Sequence, residues 1–186
     1  MRLSRSAEAR TPLSQAEPLP PEPLPRRYCA RAFPAYRFVP GRSPHPLRDP
    51  KGHSYGVSRA VATGFEPSEW RTSIDYLYGV DLFNYCYWWE AHETWEGIWV
   101  AVGRGTSMGQ FLQGLIQVSV AHLKRFQGLS GSADRLLREG LARMARSGGM
   151  LLGIEIEIFK REVEAYFTGA RAFAPLIQLV GFTAEL

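Results

Sequence analysis

Residues 88–102 read Trp88-Trp-Glu-Ala-His92-Glu-Thr-Trp95-Glu96-Gly-Ile-Trp99-Val-Ala-Val102, and this stretch decides the fold. At about 100° per residue, Trp88, Ala91, Trp95, Ile98, Trp99 and Val102 fall on one broad apolar face, the pattern of an amphipathic helix. Four of the chain's five tryptophans stand here, a large apolar load for one element. His92 and Glu96 are about 40° apart around the axis and mark the edge of the apolar face. Glu93 and Glu90 are expected further round, toward solvent. Asp81 is positioned to cap this helix, and Gly103-Arg-Gly105 to end it.

The next helix follows after a short connection. Ser107 and Gln110 make a capping-box pattern, and the helix is expected from about Met108 to Phe126, closed by Gly128. Phe111, Leu112, Leu115, Ile116, Val120 and Leu123 form its apolar face, and Gly114 and Ala121 permit close contact with a neighbour. Gln113 and Gln117 are four apart on its flank. If buried, they need partners. A connection as short as Gly103–Thr106 makes the two helices antiparallel neighbours. His92 and Glu96 are then expected to meet Gln113 and Gln117 in one half-buried polar cluster, beside a pocket walled by Trp88, Trp95 or Trp99. His122 falls on the apolar side and reads as a core histidine.

On either side the punctuation predicts three more helices. Ser68 caps one that runs to Tyr78 and ends at Gly79. Ser132 opens another that ends near Arg146. A last one covers Ile154 to Phe167, although Ile154-Glu-Ile-Glu-Ile158 alternates as a short strand would. Glu155 falls inside the apolar arc of this last helix, in its first turn, where the helix dipole favours an anion. The apolar tail after Pro175 is expected to dock on the bundle. N-terminal to all this, the proline-rich residues 1–25 are expected to be a disordered tail. Residues 26–64, with Tyr28, Phe33, Tyr36, Phe38 and Tyr55 among prolines and glycines, are expected to form an ordered irregular arm. The bundle itself takes residues 65–186. The fold class is therefore all-α, a small bundle of about five helices with an irregular N-terminal arm.

Composition narrows the function classes. Of the 186 residues 45% are hydrophobic and 22% charged, which suits a packed core and not a disordered chain. The net charge of +4 is uneven: residues 1–60 carry 11 Lys/Arg against 4 Asp/Glu, and residues 61–186 carry 11 against 14. The mildly acidic bundle argues against nucleic-acid binding by the domain, while the basic arm leaves a polyanion contact open to it. No apolar run is long enough for a membrane helix, and the N-terminus lacks the apolar core of a secretory signal. Cys29 and Cys86 lie in no C-x-x-C pair, so free thiols and a cytoplasmic location are expected.

The string His92-Glu-Thr-Trp-Glu96 carries the candidate chemistry. Side chains at i and i+4 on one helix face can share a metal ion. An imidazole with a carboxylate admits a divalent metal, with His92 and Glu96 as ligands. In a catalytic reading Glu93 or Glu96 is the general base and His92 the ligand or acid/base group. The plain alternative is a His–Glu hydrogen bond made for stability alone. The arm adds His45 and His53, with Asp49 between them, as further ligands if it crosses the bundle near His92.

Several strings together resemble domain-of-unknown-function family 309. They are Asp81-Leu-Phe-Asn84, Trp89-Glu-Ala-His-Glu93, Trp95-Glu96 with Trp99, and Phe111-Leu-Gln-Gly-Leu-Ile-Gln-Val118, with Gly153-Ile-Glu155 as a weaker third element. In the arm, Val39-Pro-Gly41, Pro44-His-Pro46, Asp49-Pro50 and Gly52-His-Ser-Tyr-Gly56 are similar to an N-terminal element of some members. The resemblance covers about residues 38–168. It implies a small helical bundle and no established activity, substrate or cofactor. Two function classes follow. The preferred one is a non-catalytic binding or interaction module around a half-buried His/Glu/Gln cluster. The alternative is a metal-assisted hydrolase that uses the H-E-x-x-E helix. The residues name no partner.

Overall fold

The computed structural model describes residues 17–58 and 61–183. After a short 3-10 turn at Pro67–Glu69 come α1 (Ile74–Asn84), α2 (Trp88–Val102), α3 (Ser107–Phe126) and α4 (Ser130–Ala145). A two-residue hairpin, β1 (Met150–Leu151) and β2 (Ile154–Glu155), then leads into α5 (Ile156–Phe167). The five-helix, all-α expectation holds. α2 packs on α3, α3 on α4 and α1 on α2. Thr106 caps α3 by accepting from Gly109 N–H at 2.9 Å, one residue earlier than the Ser107 pattern placed the cap. α3 and α4 approach so closely that a Cβ on Gly114 would lie 2.7 Å from the Gly140 carbonyl oxygen.

The first helix departs from expectation. Ser73, not Ser68, accepts from the first turn of α1, at Tyr76 N–H. Gly79 does not end the helix but lies in its middle, under the indole of Trp95; a Cβ there would be 2.1 Å from Trp95 Nε1. Every residue from Tyr76 to Asn84 is buried. A helix enclosed on all sides shows no amphipathic period, which is why its limits were misread. Asp81 is accordingly no cap. At the far end of the chain the alternating reading holds only for Ile154 and Glu155. Glu155 is exposed at the end of β2 and makes no capping bond, so it belongs to no polar cluster.

The segments around the bundle are held by side chains of α1 and the turn after it. Asp81, fully buried, accepts from Tyr28 N–H at 2.7 Å, Cys29 N–H at 3.0 Å and Arg27 Nε at 2.9 Å. Asn84 brackets Ile177, accepting from its N–H at 2.7 Å and donating to its carbonyl at 2.9 Å. With Ala174, Ile177 and Leu179 buried, the tail docks as expected. Residues 1–16 of the expected disordered tail lie outside the described residues. From Glu17 the chain touches the bundle: Cys86 donates to Leu19 O, and Tyr85 hydroxyl to Pro25 O at 2.7 Å. Three arginines of the arm are committed to the chain's own groups. Arg27 lies 4.0 Å from the Phe33 ring centroid, Arg31 4.4 Å from Tyr78 and Arg37 4.5 Å from Tyr87, with Asp81, Asp75 and Glu17 as their ion-pair partners.

Candidate functional site

The first two turns of α2 carry the site. Cys86, at φ 64°, turns the chain out of α1, and α2 then drives Trp88, Glu90, Ala91, Trp95 and Ile98 into the core. That inward face is rotated from the expected one, because Glu90 is buried and not solvent-facing. His92, Glu93 and Glu96 project on the half-exposed side, with side chains 20%, 18% and 49% accessible. One ligand atom from each can be chosen so that all three lie within 4.8 Å of one another. His92 Nδ1 is 3.2 Å from the Trp89 carbonyl oxygen. The carboxylates flank the ring, Glu93 at 3.8 Å from Nδ1 and Glu96 at 3.8 Å from Nε2. A carbonyl only accepts, so the Trp89 contact places the imidazole proton on Nδ1 and leaves the Nε2 lone pair directed toward Glu96.

The glutamine half of the expected cluster does not form. Gln117 turns to α4, donating to Glu139 at 3.0 Å and accepting from Arg143 Nε at 3.0 Å. The Gln113 side chain is half-buried and makes no hydrogen bond among the described residues. Trp88 and Trp95 do not wall a pocket beside His92, because both belong to the core. Trp88 packs on His122 and Phe126, and Trp95 donates toward the Tyr76 carbonyl at 3.4 Å. Trp99 is covered by Arg104. The tryptophan that does touch His92 is Trp89, edge-on at 6.3 Å between centroids.

The arm histidines take other partners. His45 packs edge-on against the far neighbour of His92, the Trp89 ring, at 5.6 Å, and its Nδ1 accepts from Leu47 N–H. His53 pairs with Glu90, its Nε2 3.1 Å from Oε1, and both side chains are only 5% exposed. Neither joins His92, Glu93 and Glu96, which make the one metal-competent group among the described residues. Asp81, Asn84 and Glu90, the buried polar anchors, were not expected as such; the i, i+3 spacing of Asp81 and Asn84 in an apolar string was their only signal. His122 is the core histidine expected. It is fully buried, donates from Nδ1 to the Val118 carbonyl at 2.8 Å and stacks on Tyr166, and burial pushes its pKa down to about 4. Both cysteines are free thiols, and burial raises Cys86 to about 12.

Fold and site together define a small all-α bundle with a surface His/Glu triad on its second helix. Residues 76–136, which span α1 to α3 and the start of α4, match the model of the family described as Domain of unknown function (DUF309). The match covers the strings on which the resemblance was first drawn, apart from the arm and the Gly153 element. No curated protein and no solved structure matches the chain. No helix among the described residues is long and apolar enough to cross a membrane.

Proposed function

We propose that this protein is a divalent-cation-binding helical bundle and that His92, Glu93 and Glu96 are the protein ligands of the ion. The observation that carries this reading is the convergence of the three side chains to within 4.8 Å of one another. The Trp89 carbonyl supports it, because a bond to the far nitrogen is how a ligating histidine is held in its tautomer and orientation. One imidazole nitrogen and two carboxylate oxygens suit Mn2+, Co2+ or Zn2+ better than a soft ion. Three ligands from one helix leave positions open for water or for a group of a partner. The role of the triad is binding. Cavities of about 290 and 560 Å³ lie between the arm and the tail and beside the start of α3, and neither is lined by a triad residue.

Isothermal titration of the untagged protein with Mn2+, Co2+ and Zn2+ tests the reading. The wild type should bind one ion, and His92→Ala and Glu96→Gln should each weaken it by about tenfold or more with the helix content unchanged. Variants that bind as the wild type does would remove the triad as the site.

A further inference from the structure

The arm folds a second constellation onto α2, separate from the triad. In the turn Gly52-His53-Ser54-Tyr55-Gly56 the His53 ring is held from both sides. Its Nε2 is 3.1 Å from Glu90 Oε1, and its Nδ1 is 2.8 Å from Ser54 Oγ. A carboxylate only accepts, so in the neutral ring the imidazole proton lies on Nε2, Nδ1 carries the lone pair, and the Ser54 hydroxyl donates to it. The order is serine to histidine to glutamate: a nucleophile bonded to a base, and the base bonded to a carboxylate that orients it.

The surroundings favour a working relay over a latch for the arm. His53 and Glu90 are sealed from solvent, at 5% exposure each, while Ser54 is only half-buried. Tyr36 holds the histidine from the side, with its ring edge-on at 4.7 Å and its hydroxyl accepting the His53 backbone N–H at 3.2 Å. Glu90 Oε1 also accepts from Phe38 N–H at 2.9 Å, yet Glu90 Oε2 is buried with no partner among the described residues. A structural ion pair gains nothing from an unpaired buried oxygen. A carboxylate left under-solvated in this way stabilises a positive charge on its neighbour more strongly, which is what an imidazolium formed during catalysis requires. The spacing Gly52-x-Ser54-x-Gly56 matches the nucleophile-elbow pattern, but it is built here on a turn and not between a strand and a helix. The assignment therefore rests on the geometry of the relay.

We propose that Ser54 is a nucleophile for acyl transfer, activated by His53 and Glu90, with carboxylic esters of short acyl chains as its substrates. The acyl group is short because Tyr55 and Val57, the apolar residues next to Ser54 in the chain, are 51% and 63% exposed and enclose no long chain. As Ser54 Oγ bonds to the ester carbonyl carbon, its proton passes to His53 Nδ1. The bond from that carbon to the alcohol oxygen breaks, and the alcohol leaves with the proton. Water then attacks the acyl-serine and gives a proton to His53, which returns it to Ser54 as the carboxylic acid departs.

The test uses the full chain in EDTA, so that a cation on α2 has no part. A fluorophosphonate probe is added, and adducts are located by intact-mass and peptide mass spectrometry. The wild type should gain one adduct, on Ser54. Ser54→Ala should gain none, and His53→Asn should slow the reaction at least tenfold. Hydrolysis of p-nitrophenyl acetate should be lost in Ser54→Ala, whose fold is checked by circular dichroism. A wild type that stays unlabelled, an adduct on another residue, or labelling of Ser54 at the same rate in His53→Asn would overturn the proposal.

Discussion

Replacing Asp81 by alanine should detach the first part of the arm, and the cost follows from the bonds it makes. The carboxylate is fully buried and satisfies two backbone N–H groups, of Tyr28 and Cys29, and the Arg27 guanidinium. Each buried donor left unpaired costs about 1–2 kcal/mol, which gives roughly 2–4 kcal/mol for the two amides. Arg27 is 32% exposed and can turn to water, so its share is at most about 1 kcal/mol. The expected loss is about 2–5 kcal/mol, a large part of the stability of a domain this size. Asp81→Asn keeps one accepting oxygen but turns an amide donor toward the donors of the arm, and should cost about 2 kcal/mol. Urea unfolding at neutral pH measures both, and trypsin should cut after Arg26, Arg27 or Arg31 faster in the alanine variant. A loss below about 1 kcal/mol for Asp81→Ala, with the arm as resistant as in the wild type, would refute the reasoning.

Gly79→Ala, a change that ordinarily favours a helix by about 1 kcal/mol, should instead destabilise by about 1–3 kcal/mol, because its Cβ would overlap the indole of Trp95; thermal melts decide the sign. His122 gives the protein an acid sensitivity. The unfolded chain takes up a proton on this ring below about pH 6.5, whereas the folded state resists until about 4, so stability falls as the pH drops through that window, by about 3 kcal/mol in all. His122→Asn should flatten the dependence of unfolding free energy on pH between those limits; an unchanged slope would contradict the assignment.

What was legible in the sequence is what local physics controls. The tryptophan-rich face of α2, the glycine that ends it and the cap of α3 within one residue all come from period and punctuation. Asp81 was misread because an Asp before an apolar run also looks like a helix cap, and only the arm, more than fifty residues earlier, shows what it does instead. Gly79 was misread because a glycine that ends a helix and one that lies under a tryptophan are alike in sequence. The i, i+4 spacing of Gln113 and Gln117 placed them on a flank of α3 but not on which neighbour. Arg143 and Glu139 of α4 took Gln117, and His92 was left with Glu93 and Glu96. The pairing of His53 with Glu90 joins residues 37 apart through an irregular segment. No periodicity registers such a contact. It also depends on the rotation of α2 that buries Glu90, which the spacing of tryptophans around a broad face leaves undetermined.

The claim that α2 presents a cation site is tested most directly by counting ions. Mn2+ is added to the untagged protein, and free ion is measured by its electron paramagnetic resonance signal. The wild type should remove one Mn2+ per chain, and the double variant His92→Ala/Glu96→Gln should remove none. A wild type that leaves all the Mn2+ free, or a double variant that still takes one ion per chain, would contradict the claim.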